Sequence, residues 1–443
     1  MGIMILNKLF WREYAKHALR SEPLIRHCMN EVDSLYAMTT QQLACRNNDR
    51  FMQLFKTAYE KSSFYHQLYE SRGVTPAQIH SLDDLHKLPV ITKEDVRKHA
   101  QHMRVSPTWR LLSNRTSGTT GTPLRIYEEW HTVWIEEAYL KYYRKKCGFN
   151  HGHDLLVSIR GQLDRKHQSI YIPNSHCLFL SSFNMNEHTG KYYYNLVKQY
   201  SPRAIEGYPS AIYRLCQVWD KLGLHLQIPL TFTSSETLTP QVRAYIEHFL
   251  HTSIFDHYGN TERSTALSET FNHQGYFEVP GYGINEFQEQ GIITTSLINP
   301  SFPLIRYQVD DKVTLCSNHN SCSVIAPIAQ SIDGRTCQAI VGKDGTPFNG
   351  ASLTYLAKNI PNAQVVQLVQ DNVGCMTVNI VPANATKSID MNKTHAIINK
   401  LMGGDNIDCT IKIITSNQLI YSTRNKLQFI VNRCSSTLSS TSK

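Results

Sequence analysis

No stretch of the 443 residues approaches the apolar length needed to span a bilayer. The short apolar run Ile3–Leu6 is followed by Lys8 and is too brief for the hydrophobic region of a signal peptide. Cysteine is neither frequent nor paired in number: the eleven thiols are odd, in a long chain without a leader, which excludes a disulfide scaffold and predicts reduced thiols. An excess of one charge is also lacking. Forty-five basic against 36 acidic residues leaves +9, a mild surplus that suits anionic small molecules such as nucleotides and selects neither nucleic acid nor a membrane surface. There is no internal repeat. These absences predict a cytoplasmic protein with no membrane span and leave its oligomeric state open.

What is present is an ordinary globular composition. Hydrophobic residues make up 41% and charged residues 18%, which excludes global disorder. A chain of this length buries about three quarters of its unfolded surface and folds without a disulfide or metal staple.

Residues 1–110 read as mostly helical, with Phe51, Leu54, Phe55 and Tyr59 at helical spacing. Leu88–Pro89 breaks the chain, and Thr92 with Asp95 forms a capping-box pattern ahead of a short helix. Between about 111 and 330, strand-like runs (Leu155–Ile159, Ser169–Ile172, Ile254–Tyr258) alternate with helical patterns, which argues for an α/β fold. Thr239–Pro240 opens one of those helices, whose stripe is Val242, Tyr245, Ile246, Phe249 and Leu250. From about Gly350 the pattern changes to a compact α+β unit. Ala363–Val369 and Met376–Val381 form a hairpin across Asp371, Asn372 and Gly374, followed by a helix near Asn392–Leu401 and a strand Cys409–Ile414. Ser435 to Lys443, mostly Ser and Thr, reads as a flexible tail.

The most informative segment is Asn114-Arg115-Thr116-Ser117-Gly118-Thr119-Thr120-Gly121-Thr122-Pro123-Leu124. Glycines among hydroxyl side chains let backbone N–H groups ring a phosphate, and the hydroxyls add donors. No Gly-Lys-Ser/Thr follows Gly121, so this is not a Walker A loop. By composition alone such a run is most often a surface turn. Its order, Thr-Ser-Gly-Thr-Thr-Gly-x-Pro, resembles the phosphate loop of the adenylate-forming superfamily of acyl-CoA synthetases and adenylation domains.

Four further segments follow in that family's order. Asp256-His257-Tyr258-Gly259-Asn260-Thr261-Glu262 resembles its Tyr-Gly-x-Thr-Glu motif. Phe302-Pro303-Leu304-Ile305-Arg306-Tyr307-Gln308-Val309-Asp310-Asp311 resembles Arg-Tyr-x-x-Gly-Asp, with Asp310 in place of the glycine, a change expected to alter the turn. Asp333-Gly334-Arg335 resembles the hinge motif, with Gln338 where the family has Asp. Thr423-Arg424-Asn425-Lys426-Leu427-Gln428-Phe429 resembles the segment of the mobile lysine, with Asn425 for its glycine. Ser81–Leu85, Leu88–Arg97 and Glu206-Gly207-Tyr208-Pro209-Ser210 narrow the resemblance to the phenylacetate–CoA ligase and CapK-like branch, some of whose members are linked to surface polysaccharide biosynthesis. The resemblance runs from about residue 50 to 432. Some members of this branch hold a structural zinc. Here Thr270 and Phe277 stand at two ligand positions, and Cys316, His319 and Cys322 leave a tetrahedral site one ligand short, so zinc is not expected.

The resemblance implies an α/β fold with a large N-terminal domain, 1–345, that binds ATP and acid. A small mobile α+β domain, 346–434, would turn about a hinge near Arg335–Gly345, and a tail would span 435–443. It implies an AMP-forming ligase that adenylates a carboxylic acid with MgATP and passes the acyl group to CoA, a carrier-protein thiol or an amine. Thr116, Ser117, Gly118, Thr119, Thr120 and Gly121 would hold phosphates, and Tyr258, Gly259 and Thr261 would frame the nucleotide. Asp311 would hold the ribose, Glu262 the Mg²⁺, and Lys426 would act as the catalytic lysine. Tyr208, Ser235, His257 and Tyr258 would line the acid pocket. Two other classes of function remain open at this stage. One is a nucleotide-binding member without turnover, suggested by Asp310, Gln338 and Asn425. The other is nucleic-acid binding through Lys141-Tyr142-Tyr143-Arg144-Lys145-Lys146, where basic and aromatic residues alternate, although the simpler reading of that run is a solvated helix face and no nucleic-acid partner is expected.

Overall fold

The computed structural model describes residues 8–115, 124–160, 163, 168–182, 185–289, 291–316, 323–333, 339–345, 347–349, 353, 359–383, 388–402, 404–420 and 428–434. The fold is mixed α/β, as the pattern predicts, in two compact units. The first comprises Met1–Thr116, Leu124–Asp154 and Phe255–Gly334. The second comprises Ser117–Pro123, Leu155–Ile254 and Arg335–Lys443. Among the described residues no helix is long and apolar enough to cross a membrane, and the nine described cysteines are free thiols.

The first unit begins with helices, as its periodicity indicates. Thr40–Lys61 starts at a capping box between Thr39 and Gln42 and buries Phe51, Leu54, Phe55 and Ala58. Tyr65 is buried in the same core, where its hydroxyl donates to the Pro303 carbonyl at 2.9 Å and accepts from the Ile305 amide at 3.1 Å. Thr92 caps Lys93–Met103 with Asp95, as expected from the sequence. Two antiparallel sheets carry the rest of the unit. One runs Gly283–Gln288, Gly291–Ser296, Tyr307–Val309. The other runs Lys312–Leu315, Ala329–Asp333, Tyr276–Glu278, Ala266–Glu269, Ser253–Gly259. Gly291 is required where these chains meet: its φ is +143°, and a Cβ there would lie 2.2 Å from the Val309 carbonyl oxygen.

The break at Leu88–Pro89 leads into an extended segment that lies parallel to Tyr307–Val309. The Ile91 amide donates to the Arg306 carbonyl at 3.0 Å, and Gln308 donates to the Ile91 carbonyl at 2.9 Å. Arg306 secures this junction. Its guanidinium donates twice to Glu286, at 2.9 and 2.8 Å, and to the carbonyls of His86 and Leu88, at 3.0 and 2.6 Å. Its φ of +50° is unusual for a side chain with a Cβ.

Helix Trp130–Lys146 packs against Glu22–Ala37 and corrects one reading of the sequence. Lys141, Tyr142 and Tyr143 are buried, and the Tyr143 hydroxyl donates to the Glu269 carbonyl at 2.7 Å. The aromatic residues of the basic run are core, so no base can stack on them; only Arg144, Lys145 and Lys146 reach toward solvent.

In the second unit, Leu230–Ser234, Ala204–Gly207, Leu156–Arg160 and Cys177–Ser181 run parallel, with Ser169–Ile172 as an antiparallel edge. Helices Glu187–Tyr200, Pro209–Lys221 and Pro240–Leu250 pack on them around the fully buried Trp219, whose indole N–H donates to the Gly190 carbonyl at 2.9 Å. Thr239 caps the last of these helices with Pro240 at its first position, as expected. The C-terminal part forms a second layer ordered Asp408–Ile413, Cys375–Pro382, Ala363–Gln370, Ile430–Asn432, with helix Met391–Met402. The predicted hairpin is its antiparallel centre and both flanking pairs are parallel. Within it the fully buried Gln367 donates to the carbonyls of Ile420 and Gln428, each at 2.8 Å, and accepts from the Ile420 amide at 3.1 Å.

Replacing Arg306 with Ala would strand the Glu286 carboxylate and two carbonyls, and is expected to lower unfolding free energy by about 2–4 kcal/mol. Arg306→Lys should recover only a minor part, because one ammonium cannot reproduce the fork. Urea unfolding of the three proteins measures both differences.

Candidate active site

The site residues of the first unit are built around one tight turn. Strand Ser253–Gly259 returns through residues 260–265 into Ala266–Glu269, pairing His257 with Ser268, Tyr258 with Leu267 and Gly259 with Ala266. The turn is held from within by Asn260, whose side-chain oxygen accepts from the Ser264 amide at 2.9 Å and whose amide group donates to the Ser264 hydroxyl at 2.7 Å. It is held from below by Thr294 and Ser296, which donate to the carbonyls of Ser264 and Arg263 at 2.6 and 2.7 Å. Gly283 makes this approach possible, since a Cβ there would sit 2.4 Å from the Ser264 carbonyl oxygen. Arg263 adopts a φ of +54° and turns its guanidinium inward onto Glu128 and, at 3.4 Å, Glu136. Burial opposes its charge, but the two carboxylates more than offset that and raise its pKa further.

The same turn presents Glu262, which is only 8% exposed. Its Oε1 accepts from the Tyr307 hydroxyl at 3.2 Å and lies 3.8 Å from Lys93 Nζ. Lys93 is the first residue of its helix, delivered there by the segment that Arg306 anchors. A carboxylate with a cation and a phenol at one oxygen is pre-shaped for charged ligands, since its orientation is set before any ligand arrives.

Adjacent strand residues face opposite ways, so Tyr258 and His257 diverge. The Tyr258 hydroxyl donates to Asp311 Oδ2 at 2.8 Å, which joins two of the predicted motifs directly. Asp310 does not adopt positive φ, so Asp stands at the family's glycine position without backbone strain. His257 turns to the other face, with its Nδ1 3.1 Å from the Ser268 hydroxyl; burial lowers its pKa to about 4 and keeps the ring neutral.

No family model matches the chain. It is 24% identical over 328 residues to Protein CapK of Staphylococcus aureus, spanning 71% of this chain and 70% of the relative. It is 22% identical over 321 residues to Phenylacetate-coenzyme A ligase of Pseudomonas putida, spanning 64% and 68%. The fold is shared with 2-hydroxyisobutyryl-CoA ligase solved in complex with 2-HIB-AMP and CoA, at a TM-score of 0.58 and 16% identity over 90% of this chain and 91% of that one. In sequence the chain is thus similar to CapK and to a phenylacetate–CoA ligase, and it shares its fold with an acyl-CoA ligase.

Among the residues expected from this resemblance, Tyr258 is hydrogen-bonded to Asp311 and Glu262 to Tyr307, while Gly259 and Thr261 are exposed. The phosphate-loop residues Thr116–Gly121 lie outside the described residues, between the antiparallel strands Leu112–Arg115 and Arg125–Glu128. Lys426, Asn425, Gln338, His319 and Cys322 also lie outside them, as does the 435–443 tail. Among the described residues no group of three or more His, Cys, Asp or Glu could hold a metal ion. Thr270 instead accepts from the Gln274 amide, and Phe277 is core.

In the second unit, Tyr208 precedes the helix Pro209–Lys221 and Ser235 follows strand Leu230–Ser234. Their segments are joined by Glu236, whose carboxylate accepts from the Ser210 amide at 3.2 Å. Ser235 holds a φ of +68°. Sequence reasoning quoted Lys93 and Tyr307 within motifs but gave them no role, and it missed Glu236. The available signal for Lys93 was its place at the first turn of a capped helix, where a basic residue is unfavourable to the helix dipole and therefore needs another reason.

Glu278 lies in the same row of the sheet as Tyr258, across Leu267. Burial raises its pKa to about 7, against a bond from Asn285 at 2.7 Å that lowers it. A carboxyl whose folded pKa lies above its unfolded one favours folding most below about pH 4.5, and that contribution is lost as pH rises through 7. Glu278→Gln should therefore gain roughly 1–2 kcal/mol over the parent protein at pH 8 and nothing at pH 4.5, a modest figure because the residue keeps some exposure. Urea midpoints at the two pH values test this.

Proposed function

We propose that the protein is an AMP-forming ligase that activates a carboxylic acid with MgATP. The observation that supports this reading is the hydrogen bond between Tyr258 and Asp311, two side chains of motifs that the family assigns to the nucleotide and that are far apart in sequence. Glu262, the motif residue assigned to the metal, is oriented by Tyr307. The residues fit the ligand: carboxylate oxygens suit ribose hydroxyls and a hard cation, and Lys93 supplies positive charge close by.

In the proposed reaction a carboxylate oxygen of the acid attacks the α-phosphorus, the bond to the bridging oxygen breaks, and pyrophosphate leaves. The acyl group of the mixed anhydride then passes to the thiol of CoA, to a carrier thiol or to an amine, and AMP leaves. The incoming carboxylate is already a nucleophile, so the protein has mainly to position it and neutralise charge. Thr116–Gly121 would hold the outer phosphates, Asp311 the ribose and Glu262 the Mg²⁺. Lys426, on a small domain of 346–434 turning near Arg335–Gly345, would bridge carboxylate and phosphate. Tyr208 and Ser235 are assigned to the acid. The likeness to Protein CapK is the ground for setting the reaction within surface polysaccharide assembly.

Acid-dependent ATP–pyrophosphate exchange, with Mg²⁺ and a panel of aryl, fatty, hydroxy and amino acids, tests the reading. Exchange above the acid-free rate with one class, and thioester formation when CoA is added, is the expected result. ATP binding without exchange for any acid would instead mark a member without turnover. Lys426→Ala should reduce adenylate formation by about 10²–10³-fold while leaving ATP binding in place. A near-parental rate would remove Lys426 from the mechanism.

A further inference from the structure

The hairpin that precedes the four-stranded layer in sequence is part of that layer. Ala339–Val341 pairs with Pro347–Asn349, and Ile340 is buried in the same core as Leu368, Val378 and Ile398. Gln370 accepts from the Val341 amide at 2.7 Å and donates to the Val341 carbonyl at 2.8 Å, while Asn432 donates to the Ala339 carbonyl at 2.7 Å. The turn between the two strands is fastened as well. The Lys343 amide donates to the Asn406 carbonyl at 2.8 Å, the Asp344 amide to the Asn406 side chain at 3.2 Å, and Lys343 Nζ to Asp408 at 2.7 Å. Asp344 is thus carried by the layer, and a turn of that layer has to bend the chain ahead of Ala339.

The side chain of Asp344 reaches outside the layer. Its Oδ2 accepts from Arg214 Nη1 at 2.8 Å, a contact between residues 130 positions apart. Arg214 stands on helix Pro209–Lys221, one turn after Ser210, and strand Pro347–Asn349 lies against the same helix. That helix starts beside Tyr208, a residue assigned above to the acid. The two side chains are 27% and 40% exposed. A buried pair would cost too much to break on every cycle, whereas a pair partly open to water breaks and re-forms readily and still biases one arrangement over another.

We propose that Arg214 and Asp344 form a latch that holds the C-terminal layer on helix Pro209–Lys221, and that opening it accompanies the turn of the layer between adenylate formation and acyl transfer. This rests on the reading above in which the small domain turns, and adds the contact that regulates the turn. Arg214 is here a positioning residue: it acts on the reaction through the place of the layer.

The test compares the parent protein with Arg214→Glu, Asp344→Arg and the double charge swap. Release is read by tryptic cleavage after Arg335, the basic residue ahead of Ala339, with the fragment ending there quantified by mass. Each single reversal should speed that cut about three- to fivefold at low salt, and the swap should return it close to the parent rate. About 0.5 M NaCl should bring the parent and the single variants together, because screening weakens attraction and repulsion alike. The second readout is the ratio of thioester formation to pyrophosphate exchange, which each single reversal should shift about threefold and the swap restore. A merely structural role would slow both steps together and leave that ratio intact, which would overturn the proposal. So would a cleavage rate that the single reversals leave unchanged or that the swap fails to restore. Should the swap fail to fold, the salt dependence of the parent's own cut decides: a rate indifferent to salt refutes the latch. Exchange with no acid would refute the ligase reading, and the cleavage rates would still decide whether the pair holds the layer.

Discussion

The fork of hydrogen bonds from Arg306 is the constraint on which the arrangement of the first unit depends. One guanidinium satisfies both oxygens of Glu286 and two carbonyls of a distant segment, at a backbone conformation that a residue with a Cβ adopts only when its surroundings insist. The segment so held is the one that starts the helix of Lys93. Fixing His86 and Leu88 therefore fixes where the ammonium sits, and that in turn sets the charge around Glu262. A buried arginine is expensive to desolvate, and here the cost is met by bonds that each organise something else.

Charge is handled in three distinct ways within a short distance along the same strands. Arg263 stays charged because two carboxylates surround it. His257 stays neutral because burial removes the solvation its charged form would need, which outweighs the attraction of Glu136. Glu278 sits between, with burial favouring the neutral carboxyl and a single amide donor favouring the ion. The turn from Asn260 to Ser264 is rigid because its own side chains and two hydroxyls of a neighbouring strand leave its backbone few alternatives.

Much of this was legible in the sequence. The caps at Thr92 and Thr239, the hairpin of Ala363–Gln370 with Cys375–Pro382, and the strand ending in Tyr258-Gly259 follow from local chemistry and appear within a residue or two of expectation. The meeting of Tyr258 with Asp311 followed from motif order rather than from any local rule. What could not be read was long-range. The helix Trp130–Lys146 looks solvated on its basic run because basic and aromatic letters alternate, yet its other neighbours bury Tyr142 and Tyr143. Lys93 and Glu236 act through partners far along the chain, and nothing beside them in sequence names those partners.

The carboxamide of Gln367 grips Ile420 and Gln428 at once, and those two residues are also joined by a backbone bond of 3.2 Å. One buried side chain thus spaces two separate points of the chain against the four-stranded layer. A residue at 367 that lacked the donor would take a partner from the carbonyls of both, and one that lacked the acceptor would take one from the Ile420 amide.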